Sequence, residues 1–340
     1  MTEPKYAELA NKLRSDISEG VYTEGQRLPS ENELAAQTGY SRQTVRQAME
    51  VLAREGLTDR VRGSGTYVKR PLLSRERTYN IAVVTTYIGE YIFPDILRGI
   101  DHVLAKNGYA SLLTATRNRV DNERRMLFEL LDKPIDGMLA EGTKTALPNP
   151  NIDLYERFEQ KGIPIVFFNS YYPALKNPVY VVSDDREGGR AITQALLDQG
   201  HRGIAGIFKS DDIQGHRRYA GYTDALIQAG LPVKDDQVLW CVTENMAALI
   251  ASHVKSILSG CTGLVCYNDE VAIQVIRTLG EDVRRLELVS LDGSTYAQLS
   301  ATPFFSLPHP KEQLGRLAAE KLLNILNGKK ESSVELPWLS

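Results

Sequence analysis

From Ile81 onward, short runs of β-branched and apolar residues alternate with stretches of helical periodicity. That alternation restricts this part of the chain to an α/β fold, with parallel sheets covered by helices. The expected strands are Ile81–Thr85, Ala110–Leu113, Gly137–Ala140, Ile165–Phe168, Val179–Val182, Gly203–Phe208, Gly263–Cys266 and Leu286–Leu291. Helices are expected over 94–106, 121–131, 187–199, 215–229, 246–258 and 269–279. So many strands predict two doubly wound halves rather than one sheet. Ligands in such folds sit beyond the carboxyl ends of strands. That rule directs attention to 85–94, 141–144, 169–172, 209–218, 268–269 and 292–293.

The first 77 residues follow a different pattern. Tyr6, Leu9, Leu13 and Ile17 recur at helical spacing and predict an amphipathic helix over 4–19. Ser30 and Glu33 form a capping box that opens a helix near 31–37. Gly39 is the turn, and Ser41 opens a second helix over 42–55, stopped by Gly56. Arg42, Gln43, Thr44 and Arg46 lie at the start of that second helix, where a major groove can receive them. The stretch from Leu57 to Val68 reads as a hairpin turning on Gly63-Ser-Gly65. Residues 70–78 carry charge, a proline and no periodicity, and are expected to link the two parts.

Charge follows the same division. Between Tyr40 and Arg77 stand nine Lys/Arg against four Asp/Glu, whereas 78–340 hold 27 against 32. A local basic excess suits a small module meeting phosphate while the rest of the chain avoids it. Cys241, Cys261 and Cys266 make no ligand set, so no metal is expected and the thiols should be reduced. No apolar run is long enough to span a bilayer, and Met1-Thr-Glu-Pro4 does not open a signal peptide. A cytoplasmic protein without a membrane partner is the expectation. The five histidines show no metal spacing, and no Ser/His/Asp or Cys/His order is evident. No catalytic residue and no cofactor are expected. An exported sugar carrier would need a signal peptide; a fused pyridoxal enzyme would need a cofactor lysine in a larger domain.

These residues resemble two known families joined in one chain. Leu28-Pro-Ser-Glu-Asn-Glu-Leu34, Ser41-Arg-Gln-Thr-Val-Arg46 and Arg62-Gly-Ser-Gly-Thr-Tyr-Val68 resemble the GntR-type winged helix-turn-helix. Ile96-Leu-Arg-Gly-Ile100, Asp136-Gly137, Asp198-Gln-Gly-His201, Arg218-Tyr-Ala-Gly-Tyr222, Tyr267-Asn-Asp-Glu270 and Leu291-Asp292 resemble the two-lobed effector domain of LacI/GalR repressors, which is periplasmic-binding-protein-like, type I. The implied domains are 1–69, a linker over 70–78, and an effector domain over 79–340. Its first lobe would hold about 79–177 and 307–333, and its second about 178–306 and 334–340. The pairing itself is similar to the arabinose-responsive repressors. It implies a homodimer on a palindromic operator in double-stranded DNA, released by a sugar effector, L-arabinose. Another pentose, a disaccharide or a sugar phosphate is the alternative effector.

The resemblance also implies site residues. On DNA they are Lys5, Glu31, Arg42, Gln43, Thr44, Arg46, Arg62 and Gly63. Glu31 is either a base acceptor or a complement to its helix dipole. For the sugar, Arg218, Asn268 and Asp292 resemble a hydroxyl-binding trio, and Phe93 or Tyr91 the ring that covers an apolar sugar face. Glu141, Asn169, Lys209, Gln214 and His309 complete the expected cleft. Two departures stand out. The hinge helix usual between LacI/GalR domains is missing, so coupling must run through 69–78. Asn32 stands where GntR-type domains often have arginine.

Overall fold

The structure, a computed structural model, describes residues 4–18, 20–23, 25–61, 63–68 and 77–339. It divides into two compact units, 1–77 and 78–340. In the first unit, helices α1 (Lys5–Ser18), α2 (Glu31–Thr38) and α3 (Arg42–Arg54) precede an antiparallel hairpin of β1 (Thr58–Val61) and β2 (Gly65–Val68). The capping box forms as read: Glu33 N–H donates to Ser30 Oγ (3.3 Å), and Ser30 N–H to Glu33 Oε2 (2.6 Å). Gly39 takes a left-handed φ of 72° and turns the chain into α3, a conformation that costs a β-carbon residue. Leu9, Leu13, Leu34, Val45, Ala48 and Leu52 are buried together and hold the three helices.

The second unit contains two parallel sheets. The first has the order β13-β7-β6-β5-β3-β4, from β3 (Asn80–Thr85), β4 (Ala110–Ala115), β5 (Gly137–Ala140), β6 (Ile165–Phe168), β7 (Val179–Ser183) and β13 (Val334–Leu336). The second has the order β12-β11-β10-β8-β9, from β8 (Ile204–Lys209), β9 (Val238–Cys241), β10 (Gly263–Cys266), β11 (Glu287–Asp292) and β12 (Phe305–Pro308). Helices cover both faces of each sheet. In the first lobe they are α4 (Phe93–Lys106) and α12 (Lys311–Leu326) on one side, with α5 (Val120–Leu131) and α6 (Ile152–Gln160) on the other. In the second lobe α7 (Asp185–Asp198) and α8 (Ile213–Gln228) oppose α9 (Met246–Ile257) and α10 (Asp269–Leu279). The short helix α11 (Thr295–Gln298) follows β11. Gly99 and Gly315 let α4 and α12 touch backbone to backbone. A β-carbon on Gly99 would lie 2.2 Å from Glu312 O, and one on Gly315 2.1 Å from Ile96 O.

Strand pairing corrects the expected lobe boundaries. Val179–Ser183 and Val334–Leu336 pair with each other, and Val179–Val181 with β6, so both segments belong to the first lobe rather than the second. Phe305–Pro308 pairs with β11 and extends the second sheet, so 307–308 are not in the first lobe. The chain therefore crosses between lobes near Asp184, His309 and Pro337. Thr78, expected as the last linker residue, is bonded within the second unit to Asp136. Residues 69–76 of the linker lie outside the described residues.

Candidate functional site

The carboxyl ends of both sheets face one cleft, lined by Thr86, Tyr87, Tyr91, Phe93, Asn118, Glu141, Asn169, Ser170, Lys209, Asp212, Gln214, Arg218, Tyr267, Asn268, Glu270 and Asp292 among others. The space open to the centres of water-sized spheres is about 70 Å³, room for about five water molecules. Nine of the ten residues expected from the sequence meet here. His309 does not line the cleft. It is buried at the middle crossing, with Nε2 3.1 Å from Ser183 Oγ and its ring edge-on to Trp338. It directly follows β12, and its ring is turned to Ser183 and Trp338 at the crossing instead of to the opening.

Arg218, on the inner face of α8, is the centre of the second-lobe wall. Its Nε donates to Asp185 Oδ1 (2.8 Å), Nη1 to Tyr267 O (2.6 Å) and Nη2 to Asp292 Oδ1 (3.3 Å). The guanidinium also lies over the rings of Tyr267 and Trp338. Burial alone would lower its pKa, but the Asp292 and Asp185 carboxylates outweigh burial and raise it. Burial in turn pushes Asp185 up to about 6, against the pull of Arg218. Lys209 is likewise engaged: its Nζ donates to Asp212 Oδ2 at 2.6 Å, and the carboxylates keep it charged despite burial. Both cations of the cleft thus already face carboxylates.

The first-lobe wall is built around Glu141, at the end of β5. Its Oε2 accepts from Thr85 Oγ1 (3.0 Å), Thr86 N–H (2.7 Å) and Thr86 Oγ1 (2.7 Å). Its Oε1 accepts from Asn169 Nδ2 (2.6 Å). Burial raises the pKa of Glu141, and these donors partly offset the rise. Asn169 and Tyr91 both hold left-handed backbone, φ 62° and 58°. Such outliers cluster where side chains are aimed at ligands. Phe93 opens α4 with its ring against Tyr87. Asn268 caps α10 through Val271 N–H with its carbonyl oxygen, and its amide is hydrogen-bonded to the Glu270 carboxylate.

In the first unit Arg42, Gln43 and Arg46 line an exposed face of α3 with Gln47 and Glu50. Glu31, half-buried at the start of α2, accepts from Arg46 Nε (3.3 Å) and Nη2 (3.2 Å), and lies 3.6 Å from Arg60 Nη2. It therefore orients two arginines. Thr44 shares its hydroxyl with Ser41 Oγ at 2.9 Å and serves the cap. Lys5 is exposed, 5.8 Å from the Tyr40 ring centre, and Gly63 is exposed at the hairpin tip. Arg62 lies outside the described residues.

A model of the bacterial regulatory proteins of the gntR family matches residues 5–68. One of periplasmic binding proteins and the sugar binding domain of the LacI family matches residues 78–337. An arabinose metabolism transcriptional repressor from Halalkalibacterium halodurans is 36% identical over 95% of this chain and 90% of its own length. Another, from Geobacillus stearothermophilus, is 37% identical over 96% and 92%. The chain belongs to the arabinose metabolism repressor family. Its larger unit is a LacI-type sugar-binding domain and its smaller one a GntR-type DNA-binding domain.

Solved structures agree on the fold. The complex of the transcriptional regulator CelR with cellobiose has a TM-score of 0.67 at 22% identity, covering 92% of this chain and 97% of that one. The regulator CcpA of Lactococcus lactis has 0.68 at 22%, covering 77% and 97%. The cleft residues not expected as sugar contacts from the sequence are Thr86, Tyr87, Ile92, Asn118, Gly142, Ser170, Asp212, Tyr267 and Glu270. Most lie beside strand ends already indicated. Asn118 follows β4, whose end the strand rule would also have marked had β4 been extended to Ala115. Among the described residues no helix is long and apolar enough to cross a membrane.

Proposed function

We propose that the protein is a cytoplasmic repressor of arabinose-use genes that leaves its operator when L-arabinose occupies the cleft. The relatives named for arabinose metabolism support the sugar, and the cleft supports its class. The observation that carries this reading is that Lys209 and Arg218, the lining cations, are bonded to Asp212, Asp185 and Asp292. A sugar phosphate would have to displace those carboxylates beside Glu141 and Glu270, at high electrostatic cost. A neutral polyol needs only their remaining donors and acceptors.

The repressor acts as a homodimer on a palindromic site, with α3 of each copy in a major groove. Side-by-side pairing of effector units is supported by exposed apolar residues on both lobes. Ile88 and Leu113 edge a groove with Leu97 and Pro94, while Tyr296, Leu299 and Phe305 lie exposed near β12. The sugar stabilises the closed lobes, and closure alters the placement of the two readers. No cofactor takes part. Mobility-shift titration of an operator duplex with and without L-arabinose tests the reading. Release at rising arabinose is expected, and equal operator affinity at every sugar concentration would sink it. A calorimetric panel of pentoses, a disaccharide and a sugar phosphate tests the effector class.

A further inference from the structure

Strands β3 and β5 are paired in parallel from Ile81 with Gly137 to Val84 with Ala140, and a carboxylate closes each end of the pair. At the cleft end, Glu141 accepts from Thr85 and Thr86. At the opposite end, Asp136 Oδ1 accepts from Thr78 N–H and Thr78 Oγ1, both at 2.9 Å, and Oδ2 accepts from Tyr79 N–H at 3.0 Å. Asp136 N–H in turn donates to Asn80 O at 2.8 Å. Asp136 and Glu141 are the residues that flank β5, about 17 Å apart for an extended strand. Each holds the matching end of β3.

Thr78 and Tyr79 are the first residues of the effector unit after the DNA-reading unit ends at Arg77. Tyr79 has a φ of 56°, costly for a residue with a β-carbon. It is held there by the Asp136 bonds, by Ala110 N–H donating to Tyr79 O (2.7 Å), and by its ring 5.3 Å from that of Tyr109. A strained residue fixed from three directions at the point of attachment sets the direction in which the chain leaves the effector unit. All four residues of β5 are buried, so the strand between the two carboxylates moves as one body.

We propose that Asp136 is a positioning residue for the allosteric response: with β3 and β5 it ties the chain's exit at Thr78–Tyr79 rigidly to the Glu141 wall of the cleft. It touches no ligand. The inference rests on the sugar-controlled operator release proposed above. Lobe movement on sugar binding then reaches the DNA-reading unit only while that tie is intact.

The test compares the full-length parent with Asp136→Asn and Asp136→Ala, using L-arabinose and an operator duplex selected by the parent from a random pool. Three quantities are read: arabinose Kd by calorimetry, operator Kd with and without arabinose, and amide exchange at Thr78 and Tyr79. Arabinose Kd should stay within about threefold, while the ratio of the two operator affinities falls at least about fivefold in Asp136→Ala and less in Asp136→Asn. Exchange at Thr78 and Tyr79 should speed up without change near Glu141. An unaltered ratio in a variant that binds arabinose normally overturns the inference alone. So does a loss of arabinose affinity in proportion to the loss of response, which would mark a general fold defect. If the parent itself shows no arabinose-dependent change, the functional reading fails and this inference with it. Should Asp136→Ala not fold, Thr78→Val, which deletes one of the three donors, carries the same expectations at smaller amplitude.

Discussion

Tyr91 Oη donates to Asp292 Oδ2 at 2.5 Å, joining the first lobe to the second across the cleft. The same oxygen accepts from Asp269 N–H at 3.2 Å, so one hydroxyl bonds both β11 and the start of α10. Burial first, and then Asp292, raise the Tyr91 pKa well above its ordinary value, so the phenol keeps its proton. It can therefore go on donating through the physiological pH range.

Tyr91→Phe keeps the ring and removes this bond. A hydrogen bond to a charged group contributes about 1.5 kcal/mol or more, so arabinose affinity should fall roughly tenfold through loss of the closed form. Operator affinity in the absence of sugar should not fall, because losing a cross-lobe bond favours the open form. Calorimetry for the sugar and anisotropy for the operator check the two halves of this expectation.

Arg218→Ala should abolish the sugar response and also destabilise the effector unit. Removing the guanidinium leaves Asp185 and Asp292 buried without their cation, a loss on the order of 3–5 kcal/mol. Arg218→Lys should recover part of the stability but little sugar affinity, since an ammonium cannot serve three acceptors in a planar fork. Thermal unfolding alongside sugar titration separates the effects. A stable, sugar-responsive Arg218→Ala protein would contradict the assignment.

Burial lowers the His309 pKa to about 4. A histidine depressed from its usual value of about 6.5 contributes stability that is complete above that value and is lost as pH falls toward the folded pKa. The contribution is on the order of 3 kcal/mol. Asp185, raised to about 6 by burial, acts in the opposite sense: its contribution is complete at low pH and is lost as pH rises through about 6. The difference between parent and His309→Gln isolates the histidine. That difference should shrink steadily from pH 6.5 to 4 in urea titrations; a constant difference would exclude the effect.

Arg42→Ala and Arg46→Ala should weaken operator binding without altering arabinose affinity. If either arginine grips phosphate, the slope of log affinity against log salt should lose about 0.9 for that residue. If it reads a guanine, the slope should hold and discrimination at one base pair should drop. Glu31→Gln should loosen Arg46 and Arg60 together, lowering affinity less than either arginine loss. Anisotropy at several salt concentrations distinguishes these cases.

Much of the fold was legible because its signals are local. Ser30, Glu33, Gly39 and Ser41 mark helix ends through bonds within four residues, and the central strands are unbroken apolar runs. The segments left unassigned have other causes. Strands β9, β12 and β13 are three or four residues long at or near sheet edges, where half the positions face solvent and the apolar run is broken. Helix α12 does carry a readable pattern in Leu314, Ala318 and Leu322. The lobe membership of β7 and β13 was not legible, because strand order is settled by pairing between residues far apart in sequence. In the site, Arg218, Asn268 and Asp292 were readable from their places in a motif. Asp212 and Tyr267 gain their roles only through contact with Lys209 and Arg218. His309 illustrates the converse: a polar residue near a strand end that the chain's crossing carries behind the wall.

Trp338 occupies the ground where the crossings meet. Its Nε1 donates to Asp184 O at 2.8 Å, its ring lies against His309 and Arg218, and Gly188 leaves it space on α7. Any swing of one lobe against the other must bend the chain at Asp184, His309 and Pro337, all beside this indole, which also packs on the guanidinium that anchors the cleft. Grip on the sugar and ease of swing are consequently inseparable traits. A substitution that retunes one will retune the other, and lineages adapting to a scarcer sugar would have to change their response threshold in the same step.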